Sequence, residues 1–551
     1  MRYTWQPHLI ITLFTQTIRL FGLPSLPLFP LLLLVLLDST TNSLSAKDRN
    51  RSFETLVKTA LNRSELQPQE CLELYGLQGE RYQCGFLRVL EDYEDGDSEL
   101  ISVPYLLIFP DEEVHDATLT PLLVTGGGGP GSAILGNSSY LLDDDSFWTY
   151  EEFSVVDGRT LMILENRGVG HSMPNLDCQY SPKLYQEPYW SALREADIAC
   201  GLNHVSNEID LSQYNVHNAA LDIEMFRRLI ADEQLNSNQI NLYGISYGTR
   251  VAMYYERIFP ETTRALILDS VALNDPNGSA QELAYAQRSL DLVFSKCRSD
   301  VRCRKAYGEN LESQFYEFLN TVDARNISLE LQWPTVQQPI AVELTASLVI
   351  DVVHGALYGS DTFATIPLTV SQLLAGSYEE FTRALNAYIE TYSIDYAFYD
   401  TAFLTYLCFD VDIDIDIDID VASKQGTHFS ELKMFDFWNL KSSQEHIQYV
   451  CSSYGARSQK DLLTAPYTSD TPTLLLSGEL DPITPPASAS RASVKYIYHW
   501  NIVRESTSHD VISHSACARF LASWFIYHLQ EDLDYRLNEC EPEAAIRFLP
   551  E

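Results

Sequence analysis

A chain of 551 residues, 45% hydrophobic and 21% charged, has room for a large core and lacks the composition of a disordered polymer. Its formal net charge of −39 at pH 7 excludes nucleic acid and anionic membrane surfaces as partners, because both would be repelled. The expectation from that charge is solubility in a salty medium, the alternative being a field that draws cationic peptides or free amino termini.

The first 45 residues stand apart from the fold. Arg2 and Arg19 precede an apolar run over 21–37, and Ser43, Leu44 and Ser45 form a small-x-small cleavage pattern before Ala46. The run contains Pro24, Pro27 and Pro30 and falls short of the roughly 20 residues of a spanning helix. The expectation is a secretory signal peptide and a secreted or periplasmic protein, the alternative being an uncleaved N-terminal anchor. No second apolar run of spanning length follows.

Ten cysteines lie beyond that segment: Cys71, Cys84, Cys178, Cys200, Cys297, Cys303, Cys408, Cys451, Cys517 and Cys540. An even number without a C-x-x-C or a Cys/His cluster predicts disulfides rather than metal or redox chemistry. The simplest pairing joins neighbours in order, 71–84, 178–200, 297–303, 408–451 and 517–540. Sequons at Asn50, Asn62, Asn137, Asn277 and Asn326 matter only in a glycosylating host.

Residues 46–100 are polar and mixed, with a helical stretch near 53–61. Strand-like runs follow at 101–109 (ISVPYLLIF), 121–124 (PLLV) and 160–165 (TLMILE). A helix is predicted over 220–230, where Leu221, Ile223, Phe226, Leu229 and Ile230 fall mostly on one face. The stretch 239–250 (QINLYGISYGTR) is a short apolar strand, then G-x-S-x-G, then a helix start, and 264–269 (RALILD) is another buried strand. Strands alternating with helices predict a mostly parallel sheet covered on both faces. Over 279–322 and 345–392 the pattern turns helical, as in an insertion. Strand character returns at 473–477 and 496–503, and an apolar helix over 516–529 closes the chain. The segments expected are a signal or anchor (1–45), a first core part (46–275), a helical cap (276–465) and a second core part (466–551).

One stretch fits none of these, 410–421 (DVDIDIDIDIDV). Strict alternation puts Ile and Val on one face and aspartates on the other. A loop or edge strand grown by repeat expansion explains it. A cation site is the rival, although the run lacks the glycine and distal glutamate of an EF-hand loop.

The chemistry centres on Ser246, set at the tip of a sharp strand-to-helix turn by Gly244 and Gly248. A serine nucleophile needs a base, and His509 follows the last strand in a loop before the terminal helix, with His514 as its competitor. The orienting acid is expected after the preceding strand, where Asp481 ends the turn in SGELDPITP and Glu479 is the alternative. An oxyanion hole needs backbone N–H groups, and the glycine run 126–131 supplies one without intervening side chains. A phosphate loop is the rival reading, but no lysine follows the run as that motif requires; no cofactor or metal is expected. The oxyanion donors are the amides of Gly128 and Tyr247.

The combination of GGGGPGSA, ENRGVGHS, YGISYGT, SGELDPITP and the late His509 resembles the proline iminopeptidase and tripeptidyl aminopeptidase group of α/β-hydrolases. Cys178 in NLDC, the pair in CRSDVRC, Cys408 in LCFD and Cys451 resemble the tripeptidyl aminopeptidase branch. Glu165 stands where that group usually has Asp, and Ser508-His509-Asp510 replaces its common G-H-G. The resemblance implies an α/β-hydrolase fold with a helical cap inserted after the sixth core strand. It also implies release of amino-terminal residues from short peptides with a free amino terminus, cap carboxylates pairing the ammonium group. Asp410 is the one cap acid singled out for that role. The alternatives are a carboxylic ester hydrolase using the same triad and a non-catalytic binding protein.

Overall fold

The computed structural model describes residues 55–548 apart from 111–112, 114–115, 117, 128, 132, 136–157, 179–188, 234–236, 274–277, 332–337, 394–399, 411–432, 435–436, 438–439, 458, 530, 532 and 541–545. The expected signal segment, Gly128 and nearly all of the Asp-Ile run therefore lie outside the described residues. The chain divides into two units, 1–58 and 59–551, and the elements below belong to the second.

A nine-stranded sheet organises that unit. Its strands in chain order are β1 (Glu65–Gln69), β2 (Tyr82–Leu90), β3 (Leu100–Ile108), β4 (Leu122–Thr125), β5 (Leu161–Leu164), β6 (Ile240–Ile245), β7 (Thr263–Asp269), β10 (Thr473–Gly478) and β11 (His499–Arg504), while β8 (Ser328–Leu331) and β9 (Ile340–Glu343) pair separately. The spatial order is β1-β2-β3-β5-β4-β6-β7-β10-β11. Contacts from β1 to β5 are antiparallel, and those from β5 through β11 are parallel. β4, β5, β6 and β10 are buried at every position, as parallel strands covered on both faces require.

The helices are α1 (Cys71–Tyr75), α2 (Tyr189–Ser206), α3 (Val216–Glu233), α4 (Tyr247–Ile258), α5 (Gly278–Ser299), α6 (Val301–Tyr307), α7 (Leu311–Val322), α8 (Ala346–Tyr358), α9 (Ile366–Ala375), α10 (Glu379–Ser393), α11 (Asp400–Asp410), α12 (Leu440–Ser453), α13 (Lys460–Thr464), α14 (Pro486–Ser493), α15 (Val511–His514), α16 (Ala516–Tyr527) and α17 (Leu533–Leu537). On one sheet face Leu521, Ala522 and Phe525 of α16 share a core with Ile163, Tyr243, Ile267 and Leu474. On the other, Phe226 of α3 sets its ring 5.2 Å from that of Tyr105 in β3. Between β7 and β10, Phe294, Phe315, Val349, Phe363 and Phe381 form a second apolar cluster around α5–α10, joined by Leu329 and Ile340 of β8 and β9.

The five disulfides pair as the in-order expectation has it: 71–84, 178–200, 297–303, 408–451 and 517–540. One of them joins α11 to α12. Arg167, from the ENRGVGHS segment, is fully buried and donates to both carboxylate oxygens of Asp222 on α3, at 2.8 and 2.6 Å. Its remaining N–H groups donate to the carbonyls of Glu91, Gln213 and Leu90, so this buried charge is both paired and hydrogen-bonded. Among the described residues no helix is long and apolar enough to cross a membrane.

Two sheet strands are absent from the sequence expectation for 46–100. β1 (ELQPQ) is an edge strand whose side chains mostly face solvent, so it carries no apolar signal. β2 (YQCGFLRVL) has its alternation broken by Cys84, tied to Cys71, and by Gly85, over which β1 passes closely.

Candidate active site

In a parallel sheet the loops leaving the carboxyl ends of the strands converge at one edge, where ligands bind. Register places Thr125 beside Gly244, Ile245 beside Asp269, Asp269 beside Leu476, and Gly478 beside Arg504. The glycine run, Ser246, Asp481 and His509 all follow these ends.

Ser246 joins β6 to α4 with φ 50° and ψ −120°, a conformation that costs a residue with a side chain on the order of 1–3 kcal/mol. The glycines on either side are steric requirements. A Cβ on Gly244 would stand 2.6 Å from the Gly248 carbonyl oxygen, and one on Gly248 would strike the main chain of Thr125. Hydrogen bonds hold the turn: the Ser246 N–H donates to the Asp269 carbonyl at 2.9 Å, and Thr249 donates its N–H and its hydroxyl to the Ser246 carbonyl. Thr125 Oγ1 donates to the Gly248 carbonyl at 3.0 Å, binding the end of β4 to the start of α4. Strain supported on every side marks a turn whose purpose is to present its side chain.

The fold brings Asp481 and His509 together. The imidazole Nδ1 lies 2.8 Å from Asp481 Oδ2, and the carboxylate also accepts from the Ile483 and Thr484 amides and the Thr484 hydroxyl at 2.9, 2.7 and 2.6 Å. Burial would raise the Asp481 pKa, but the His509 charge and these hydrogen bonds outweigh it and hold the carboxyl below its usual range. Burial would lower the His509 pKa, but Asp481, with Asp510 and Asp269 beyond it, lifts the imidazole above its ordinary value. The main chain of His509 is fixed by donation to the Tyr358 carbonyl at 3.2 Å, and the Tyr358 ring stands edge-on to the imidazole at 5.3 Å. Of the alternatives, Glu479 pairs with Lys296 at 2.9 Å and accepts from the Ser506 amide, while His514 closes α15 one turn past His509.

Gly128 lies outside the described residues, but its neighbours are placed. A Cβ on Gly127 would come within 2.8 Å of Ile245, so the loop runs against the turn that carries Ser246. Tyr247 is buried, and its hydroxyl donates to Asp410 Oδ2 at 2.9 Å. Downstream, Glu165 accepts from the amides of Ile134, Leu135 and Asn166 at 3.1, 2.8 and 3.2 Å and so pins the far end of the glycine-rich loop. Burial pushes the Glu165 pKa up to about 7, while those amides draw it back. Glutamate in place of the usual aspartate is one methylene longer and still reaches three amides.

Asp410 does not have a free carboxylate. Its two oxygens accept from the Val216 amide at 3.0 Å and from the Tyr247 hydroxyl, and the group is buried. Two other cap acids are half-buried, Glu282 on α5 and Asp351 on α8. Burial pushes both up to about 7; the Arg250 charge draws on Glu282, and no described residue hydrogen-bonds either. Asp351 is one turn ahead of His354, which feels the charge of Asp481, and two turns ahead of Tyr358. Thr484 falls within SGELDPITP without a role assigned to it there, and Tyr358, Glu282 and Asp351 carry no local motif. A separate cavity of about 560 Å³, lined by Arg298, Glu312, Tyr316 and Lys433, shares no residue with this site. Among the described residues the group with metal-ligand spacing is Cys178, Cys200 and His204, whose two sulfurs are bonded to each other.

Residues 122–509 match the protein family described as alpha/beta hydrolase fold. Serine protease Hip1 of Mycobacterium tuberculosis is 27% identical over 245 residues, 41% of this chain and 42% of that protein. Tripeptidyl aminopeptidase of Streptomyces lividans is 26% identical over 224 residues, 38% of each chain. The chain thus spans about two-fifths of the length of these curated relatives. Among solved structures, a proline iminopeptidase from Mycobacterium smegmatis aligns with 78% of this chain and 95% of its own at 11% identity and a TM-score of 0.32.

Proposed function

The chain belongs to the alpha/beta hydrolase fold family, and on that premise we propose that it is an exported serine peptidase releasing amino-terminal residues or short peptides. The observation that carries this reading is the hydrogen-bonded pair of His509 with the buried Asp481, set at the same sheet edge as the strained Ser246. In the proposed mechanism Ser246 Oγ attacks the scissile carbonyl while His509 Nε2 takes the hydroxyl proton. Asp481 holds the imidazole with its Nδ1–H facing the carboxylate and stabilises the imidazolium. The amides of Gly128 and Tyr247 receive the oxyanion, aided by the N-terminal end of the α4 dipole. The imidazolium then protonates the leaving amine, and water activated by the same histidine clears the acyl-enzyme.

The choice of peptide over ester rests on the motif resemblance, on relatives named as a serine protease and a tripeptidyl aminopeptidase, and on the cap acids. With Asp410 engaged by Val216 and Tyr247, Glu282 and Asp351 are the acids we assign to the substrate's ammonium group. Either would ionise on meeting a cation, since each is held near neutrality by burial. Export is supported by five disulfides, which persist in oxidising compartments.

A substrate panel tests this. Purified protein is expected to cleave free-amino peptidyl amides at least tenfold faster than the same peptides with blocked amines. Glu282→Gln and Asp351→Asn should raise KM for the free-amino series and leave the blocked series unchanged. Hydrolysis of simple esters alone would overturn the peptidase assignment in favour of an esterase.

A further inference from the structure

Asp269, the last residue of β7, belongs to no recognised motif. It is fully buried, yet its main chain and its side chain hold opposite halves of the site. Its carbonyl accepts the Ser246 N–H at 2.9 Å and so supports the strained turn. Its carboxylate accepts the amides of Val511 and Ile512 at 3.0 and 2.9 Å, the two residues that follow Asp510 in the loop carrying His509. The Tyr243 hydroxyl, from β6, donates to the same carboxylate at 3.1 Å, and Ser270 Oγ donates at 3.2 Å. Ser270 Oγ also accepts the Asp510 amide at 3.0 Å, and the Ser270 N–H is bound to the Leu476 carbonyl of β10.

We propose that Asp269 is a positioning residue that sets the spacing between Ser246 and His509, one carbonyl holding the nucleophile's turn and one carboxylate holding the histidine loop. The inference rests on the Ser246, His509 and Asp481 assignment above. Asp481 alone does not fix that spacing. It orients the imidazole ring through Nδ1 but leaves the main chain beyond His509 to other supports, and Asp510 there sits in a left-handed conformation at φ 60°. A carboxylate is suited to the task because two amides and two hydroxyls donate to it, and its charged form satisfies all four.

The same geometry predicts a sensitivity to protons. The titratable groups facing Asp269 are Tyr243 from β6 and His509 and Asp510 from the loop, with Asp481 beyond the imidazole. Burial, then the like charge of Asp510, raises its pKa to about 7. Protonation of Asp269 removes the charge these donors share and makes one hydroxyl, that of Tyr243 or Ser270, turn to accept, so the hold on the loop amides weakens. Activity therefore falls on the acid side for two reasons, protonation of His509, whose pKa is raised, and slackening of its loop as Asp269 protonates at about 7, and the acid limb of kcat should be steeper than one proton allows.

The test compares wild type, Asp269→Asn, Tyr243→Phe and Ser246→Ala by labelling rate with a serine-directed fluorophosphonate and by kcat, KM and pH profile on a free-amino peptidyl amide. Asp269→Asn keeps the shape and one acceptor. It is expected to lower kcat and the labelling rate about tenfold with KM within twofold, and to reduce the acid limb to a single proton. Tyr243→Phe, which removes one donor and leaves the loop contacts intact, should move the steep limb to higher pH; this variant decides the matter should Asp269→Asn fail to fold. Wild-type rates in folded Asp269→Asn, or an unmoved limb in Tyr243→Phe, would overturn the inference alone. Wild type that takes no label at Ser246 would instead overturn the triad assignment beneath it.

Discussion

Replacing Ser246 by alanine is expected to lower kcat on a free-amino peptidyl amide by about 10⁴- to 10⁶-fold, the range in which a lost serine nucleophile falls. The substitution removes one oxygen from a site whose other parts stay in place. The main-chain bonds to Asp269 and Thr249 do not involve Oγ, and alanine must occupy the same φ of 50°. Folding stability should therefore change little, and thermal melting of the variant should track wild type within a few degrees. What remains of the rate would come from substrate binding and the oxyanion amides. Comparing kcat with the melting curve separates a lost nucleophile from a lost fold.

The second large effect is expected from Asp481→Asn, with kcat lower by about 10⁴-fold while substrate still binds. The asparagine carbonyl can keep the amides of Ile483 and Thr484, but its NH₂ then faces His509 Nδ1. An NH₂ there donates, so the imidazole carries its proton on Nε2, where it cannot take one from Ser246. Wild-type activity should rise through a pKa above 6.5, the ordinary histidine value, because the pair favours imidazolium. The variant should lose that elevation. The linked effect on stability has a definite window. His509 has a raised folded pKa, so its share is fully present below 6.5 and fades as pH rises through the folded value. Asp481 has a depressed folded pKa, so its share is fully present above 3.8 and fades as pH falls through the folded value. The melting difference between wild type and Asp481→Asn should accordingly be widest between pH 3.8 and 6.5.

The proposed nucleophile, acid and histidine stand out in the sequence because each sits in a local pattern that physics constrains. Gly244 and Gly248 are needed where strand and helix nearly touch, Asp481 follows a plainly apolar strand, and His509 lies between a last, mixed strand and the apolar helix α16. Thr484 lies three residues past Asp481, yet only the folded turn aims its hydroxyl at that carboxylate. Tyr358 reaches His509 across 151 positions of chain and Asp269 reaches Ile512 across 243, so neither pairing has a local signal. Asp410 shows the converse. The resemblance singles it out as a cap acid for the substrate's ammonium group, whereas the fold buries it against Tyr247 and the start of α3. The in-order cysteine pairing succeeded because each bridge closes a short loop, 6 to 43 residues long, within or between adjacent elements.

The central claim is that Ser246 is the nucleophile and that His509 with Asp481 activates it. The measurement that tests it most directly is peptide mapping by mass spectrometry after reaction with a fluorophosphonate. The expected result is one stoichiometric adduct on the peptide containing Ser246, formed at a rate that falls by orders of magnitude in Asp481→Asn. An adduct at another residue of protein that hydrolyses peptides, or labelling of Ser246 at an undiminished rate in Asp481→Asn, would contradict the claim.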